Sequence, residues 1–534
     1  MYDILIKNGT VVDGTGNPRF KADVAIAGGR IVKIAEDIEA SAGEIIDATG
    51  HIVSPGFIDG HTHSDLAVVL GSDSWNHLEN GVTTQIAGQC GGSPCPYSEL
   101  NVKALIEDIE EDEQAKVFAF CESPHTFMAQ AESAQSGTNF AFYIGHGALR
   151  AHAMGYSDQK PTSDEMADMK NMLTQAMEAG FLGYSSGLVY APSVYGDADE
   201  LTELAAVMKP YNGVYTSHIR AEGDAVVRAV EEAIAIGEGA GVQTVISHLK
   251  VMGRHNKGAS KTTLALIEAA NARGVPVYAD QYPFIAGAAP LSSQIPPKYL
   301  VGGIPALLER IKSPEIRQQI VHSIFHEPHE FESSIYTAGF EGAMVVSSPK
   351  APQFAGKTIT QIAQETDKEP IDAYCDLLLE NEGMGSGVYF NQVEEDMLRI
   401  LAHPLVTAGS DWSDIKEHKG PDSQSAGHPR STSTMVRRLE LTRDLGLRTL
   451  ESVVRSMTGL TALSVGLPGR GILAEGRPAD VTIFDYAAVK MHADFMHPFR
   501  KNDGIHTVIV NGQVAVREGT ALGVRAGTVL KRGQ

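Results

Sequence analysis

Two histidines two positions apart, His61 and His63 in PGFIDGHTH, precede a cysteine, Cys90, in GVTTQIAGQC. Much further along come His218 in GVYTSHIR, His248 in VQTVISHLK and Asp411 in LVTAGSDWSD. Imidazole, thiolate and carboxylate are the donor types of a zinc site. Zinc can lower the pKa of a bound water to about 7 and polarise a carbonyl, so this set points to metal-assisted hydrolysis. Taken singly, each residue has an ordinary reading. A buried cysteine is usually a small hydrophobe, a strand-end histidine is usually hydrogen-bonded structure, and an aspartate after Gly-Ser caps turns. The shared setting argues otherwise: each of the six closes a short apolar run.

Eight such runs begin apolar and end in polar residue types: 52–63, 81–90, 139–147, 181–190, 213–220, 242–250, 276–284 and 405–414. Helical patterns separate them. TSDEMADMKNMLTQAMEAG opens on a capping sequence and closes on Gly180, and DAVVRAVEEAIAIGEGAG and KTTLALIEAANARG also end at glycine. Eight β–α units predict an α/β fold, a (β/α)8 TIM-like barrel with its site where the strands end. Alternation sends His61 and His63 to one side of strand 1. The interval from Asp280 to Asp411 far exceeds the roughly 30–40 residues of one unit. It predicts an insertion between strands 7 and 8, about 285–400. Its start, IAGAAPLSSQIPPKYLVGG, reads as a mobile or capping segment, with a lid and a solvated excursion both open. IKNGTVVDG and IVNGQVAVREG, near the two ends, each carry Asn-Gly between strand-like runs, a hairpin signal. The termini are expected to build a small β-sandwich domain, 1–53 plus 470–534, beside a barrel of 54–469.

The 534 residues are 43% hydrophobic and 20% charged, ordinary for a globular protein with a large core. A net charge of −23 argues against binding a phosphate backbone, and no nucleic-acid motif is visible. Four cysteines in so long a chain are no disulfide scaffold. The start, MYDILIKNGTVVDG, lacks the marks of a secretory signal, and no apolar run has transmembrane length. A cytoplasmic protein with no membrane partner is expected.

PGFIDGHTH, with the histidines after strands 5 and 6 and the aspartate after strand 8, resembles the amidohydrolase superfamily. Within it the chain is similar to the N-acyl-D-amino-acid deacylases, through GVTTQIAGQCG, GFLGYSSGLVY, SHIRAEG, SHLK, DQYPF, AGSD, HPR and GILAEGRPADVTIFD. Many two-metal members of the superfamily bridge their ions with a lysine after strand 4, but here that strand ends GYSSGLVY. The resemblance implies that Cys90 takes the bridging place. One zinc would be held tightly by Cys90, His218 and His248, and a weaker second site would use His61, His63, shared Cys90 and Asp411. Asp411 would act as general base and then general acid, since amide nitrogen leaves poorly unless protonated.

Lys250, two residues past His248, and Arg430, in His-Pro-Arg, can grip a substrate carboxylate, with Tyr190 and Tyr282 adding hydroxyls. These four positions match the family's carboxylate-binding residues. Arg220, two after His218, is also expected to face the site, and His146 and His152 to support it. Two departures bear on substrate. The family's serine after the strand-7 Tyr-Pro is Ala288 here, so one carboxylate hydrogen bond is either missing or supplied by Ser292 or Ser293. LSSQIPP also lacks the arginine of glutamate-specific members, which favours neutral or apolar side chains. The preference for D over L rests on the resemblance alone. Rival readings are a cyclic amidase of the hydantoinase or dihydroorotase type, a dipeptidase acting on a D-residue, and a non-catalytic interaction protein. Absence of the strand-4 lysine disfavours the first, and the complete donor set disfavours the last.

Overall fold

A computed structural model describes residues 1–98, 111–328, 331–415 and 426–534. Eight parallel strands form the barrel: β1 Phe57–Asp59, β2 Val82–Ala87, β3 Asn139–Gly145, β4 Gly183–Gly187, β5 Val214–His218, β6 Gln243–Ile246, β7 Val277–Gln281 and β8 Val406–Ala408. They pair in chain order from β1 to β8. Every residue of β2 and β3 is buried, as expected for parallel strands covered on both faces. The helix Ser163–Ala179 begins with a capping box between Thr162 and Glu165 and stops at Gly180 (φ 106°). Val226–Ala240 and Ser260–Ala272 complete the units after β5 and β6.

Closure between β8 and β1 continues past both strands. Gly60 N–H donates to Ala408 O (3.0 Å), Asp411 N–H to His61 O (2.8 Å) and His63 N–H to Trp412 O (2.9 Å). The seam that shuts the barrel therefore fixes the backbone of three candidate site residues.

Two sequence expectations are corrected. The run 52–63 is not one strand: Ile52–Pro55 belongs to the terminal sheet, and the barrel begins at Phe57. Ile52–Pro55 pairs with both Tyr2–Val11 and Val481–Phe484. It joins strands from the two termini into one continuous nine-stranded sheet, packed around Ile6, Val24, Ile46, Val481 and Ile509. Nor is each Asn-Gly a hairpin. Asn511-Gly512 turns between Ile505–Val510 and Gln513–Arg517 with both φ positive. Asn8-Gly9 instead sits inside Tyr2–Val11, where the register against Phe20–Ala27 shifts between Ile6 and Gly9. Asn8 (φ 63°) donates its N–H to Asp23 Oδ1 (2.8 Å), which stabilises a bulge rather than a turn.

The insertion is a packed unit. Gly287–Pro290, Ser386–Tyr389 and Ala343–Ser347 form a three-stranded antiparallel sheet. Leu291, Ile295, Leu307, Ile320, Ile335 and Tyr374 belong to a core of its own. Among the described residues no helix is long and apolar enough to cross a membrane.

Candidate metal centre and active site

Cys90 follows β2 by three residues and lies at the junction of two donor clusters. His61, His63, Cys90 and Asp411 offer ligand atoms all within 4.8 Å of one another, as do Cys90, His218 and His248. Cys90 Sγ is 3.3 Å from His61 Nε2 and 3.4 Å from His248 Nε2. Tetrahedral zinc, with bonds of about 2.3 Å to sulfur and 2.0 Å to nitrogen, sets its donors about 3.5 Å apart, so these spacings fit such an ion. The buried His218 Nδ1 has no hydrogen-bond partner. Burial keeps His218 below its usual pKa, hence neutral, the form that donates to a metal. Burial alone would raise the Cys90 thiol, but the His61 and His248 imidazoles outweigh it and hold the thiol well below its usual pKa.

The backbone supports this convergence. Cys90 (φ 54°), His248 (φ 34°) and Asp411 (φ 55°) all take the left-handed conformation that non-glycine residues rarely adopt. Strain of this kind persists where surrounding structure over-determines it. At the end of β4, a Cβ on Gly187 would meet Cys90 O at 1.9 Å. The end of β4 is thus packed against the Cys90 backbone, with no room for a side chain at that position.

Two buried acids missed by the sequence reading orient the histidines. Asp280, in β7, places Oδ2 3.3 Å from His61 Nδ1 and accepts the His248 N–H on Oδ1 (2.7 Å), so one carboxylate touches both clusters. Glu222 lies 2.6 Å from Lys250 Nζ and 3.1 Å from His248 Nδ1. Burial opposes its ionisation, but the Lys250 ammonium and the histidines keep its carboxyl below the usual range. Signals existed for both: Glu222 is four residues beyond His218, and Asp280 heads DQYPF on the last turnward positions of strand 7.

Asp411 Oδ1 is 3.0 Å from His63 Nε2, and Oδ2 accepts from Arg430 Nη1 (2.7 Å). Burial would raise its carboxyl, but the Arg430 guanidinium and the histidines hold it well below the carboxylate range. Arg430 lies over the rings of Tyr282 (4.6 Å) and Trp412 (5.4 Å), and its buried Nε has no partner. The cations are therefore not free-standing clamps: Arg430 is paired with Asp411, and Lys250 with Glu222. Tyr190 stacks edge-on to His218 (5.0 Å), and Tyr282 Oη accepts from Gln392 (3.2 Å).

A cavity is lined by Tyr190, His218, His248, Lys250, Tyr282 and Asp411, together with Ala288, Gln294, Phe331, Glu332 and Tyr389 of the insertion. Ala288 contributes its carbonyl to Arg430 (3.4 Å), while Ser293 Oγ donates back to Pro290 O. Three further residues make their contacts away from the metal donors. Arg220 turns to Glu232 (2.9 Å) and to the carbonyls of Val194 and Gly196. His146 binds Ser193 and Glu200, and His152 meets Tyr97 O. Between Asp411 and Arg430, where the chain is longer than the resemblance leads one to expect (SDIKEHKGPDSQSAG), residues 416–425 lie outside the described residues.

The amidohydrolase family model matches residues 44–286 and 387–516, leaving out most of the insertion. The D-aminoacylase of Alcaligenes xylosoxydans xylosoxydans is 33% identical, over 99% of this chain and 98% of that one. A D-aminoacylase structure concerned with a binuclear metal centre, with one-metal activation and second-metal attenuation, superimposes at TM-score 0.83. It has 33% identity and 100% coverage of both chains. The N-acyl-D-glutamate deacylase of Bordetella bronchiseptica, complexed with zinc and a phosphonate mimic of the tetrahedral intermediate, gives a TM-score of 0.81. It is 32% identical over 99% of each chain. With matching sequence along almost its whole length and a matching fold, the chain belongs to the amidohydrolase family, among the D-aminoacylases.

Proposed function

We propose that this protein is a zinc-dependent hydrolase that cleaves N-acyl-D-amino acids to a carboxylate and a free D-amino acid. The observation that carries the reading is the single thiol, Cys90, shared between two donor clusters at the mouth of the barrel. Cys90, His218 and His248 would hold the tighter ion, and His61, His63, Cys90 and Asp411 the weaker one. A bound zinc supplies Lewis acidity toward the scissile carbonyl and the attacking water.

The remaining work falls to the chain. Asp411 stays ionised because Arg430 neutralises Oδ2, so Oδ1 is ready to accept the proton of the attacking water. It then returns that proton to the leaving nitrogen. Lys250, with three donors, gives one to Glu222 and keeps others for the substrate. Arg430 lies behind Asp411 and over the Tyr282 ring. With the Tyr190 and Tyr282 hydroxyls these would receive the substrate carboxylate. No arginine lies in 291–297, and Glu222 and Glu332 line the cavity, which supports a neutral or apolar side chain.

A chiral panel of N-acetyl amino acids, with zinc analysis on the same sample, tests the reading. Hydrolysis of the D-enantiomers of neutral residues such as methionine and phenylalanine is expected. Turnover of hydantoin or of dipeptides ending in a D-residue, with N-acetyl-D-amino acids untouched, would overturn it.

A further inference from the structure

The short helix Trp75–Leu78, between β1 and β2, has all four side chains buried. One of them, His77, sits between two carboxylates that the chemistry above does not use. Its Nδ1 is 2.8 Å from Asp414 Oδ1 and its Nε2 3.6 Å from Asp59 Oδ2, and none of the three side chains is more than 4% exposed. The contacts are close but not aligned as hydrogen bonds. Two buried carboxylates repel, and an imidazole between them relieves this on both sides only when it carries a proton on each nitrogen.

Each carboxylate grips one side of the seam that closes the barrel. Asp59, the last residue of β1, accepts the main-chain N–H groups of Ser410 (2.8 Å) and His61 (3.3 Å) on Oδ1. Asp414, three residues past Asp411, accepts the Ser74 hydroxyl on Oδ2 (2.7 Å) and the amide of Gln85, in β2, on Oδ1 (2.8 Å). Its own N–H donates to Ser64 Oγ (2.9 Å), beside His63, and Ser64 donates to Gln85 Oε1 (2.7 Å). Asn76 donates to Ser413 O (3.2 Å), and Ser413 Oγ to His63 O (3.0 Å). These bonds tie together the end of β1, the body of β2 and the segment after β8. Those three stretches carry His61, His63, Cys90 and Asp411, the four donors of the weaker cluster. None of these bonds reaches β5 or β6, which lead to His218 and His248.

We propose that His77 is a positioning residue for the weaker metal site. By holding Asp59 and Asp414 together it sets the spacing between the ends of β1 and β8, and hence between the two histidines and Asp411. The Cys90–His218–His248 site does not depend on it. This inference rests on the two-cluster metal reading above and not on the substrate.

The test adds a competing chelator to the zinc-loaded wild type and to zinc-loaded H77Q, and reads a dissociation constant for each of two zinc ions. Gln keeps a polar group near Asp59 but loses the ring nitrogen that faces Asp414. The weaker constant should rise by about 10–100-fold, as for other partners behind metal ligands, while the tighter one holds. Equal losses at both sites would make His77 a support of the whole barrel and overturn the assignment. An unchanged weaker site would overturn it too. If H77Q does not fold, D414N, which keeps the size of the partner and removes its charge, is judged by the same two criteria. Failure of both to fold would also overturn it, since His77 would then serve the fold at large. A wild type that holds a single zinc removes the weaker site and this inference but leaves the tighter site standing. A wild type that holds none removes the metal reading itself.

Discussion

The floor and the roof of this site are built by different means. The floor consists of strand ends, and its side chains are placed by the same main-chain hydrogen bonds that close the barrel, as Asp411 N–H to His61 O illustrates. The roof is the insertion, with its own core and sheet, meeting the barrel mostly through side chains such as Glu332 and at isolated main-chain bonds such as Gly253 N–H to Asn391 O (2.7 Å). The family model covers the floor and stops short of most of the roof. The contrast teaches that donor geometry is tied to the integrity of the whole barrel, whereas part of the cavity lining belongs to a unit with its own core.

Four experiments break or sharpen that contrast, the strongest on the floor. Cys90→Ala should remove the shared donor and lower kcat/KM beyond detection, with zinc content falling by at least one equivalent. Cys95→Ala, at a buried thiol that burial keeps protonated, should retain zinc. Equal zinc in the two variants would separate the clusters from Cys90. Asp411→Asn should keep the tighter zinc but lower kcat by about 10²–10⁴, the range of general acid–base contributions. Near-normal turnover would remove Asp411 from proton transfer.

Asp280→Asn tests whether one carboxylate orients both histidines. A loss of about 10–100-fold in zinc affinity or activity is expected, as for other partners of metal-ligating histidines. Zinc titration against a competing chelator would measure it, and an unchanged affinity with unchanged activity would leave Asp280 a bystander. The smallest effect belongs to the roof. Glu332→Gln weakens three charge-assisted bonds worth about 1.5–3 kcal/mol each at most. KM should rise severalfold while kcat and zinc content hold. A fall in kcat without a change in KM would tie the roof to the chemistry and erase the contrast.

Much of this architecture is legible along the chain because barrel strands are buried on both faces and end abruptly in polar residues. The errors have local causes. Alternation predicted that Arg220 shares a side with His218, but β5 ends at His218, and beyond a strand end alternation no longer governs direction. Lys250 also lies beyond its strand. It reaches the cavity because His248 takes a left-handed φ and Glu222 receives the ammonium, neither of which spacing reveals. Asn8-Gly9 and Asn511-Gly512 read identically, but Asp23 binds the Asn8 N–H from a neighbouring strand and turns one signal into a bulge.

By itself the sequence determined the donor types, their order, the eight-unit frame and the long interval between strands 7 and 8, because burial and periodicity are written residue by residue. Only the tertiary structure decided which charges neutralise one another. Arg430 meets Asp411, Lys250 meets Glu222, and Asp280 touches histidines from both clusters. Such pairings join residues far apart in the chain, over distances set by barrel closure, and electrostatic strength depends on those distances and on exclusion of water.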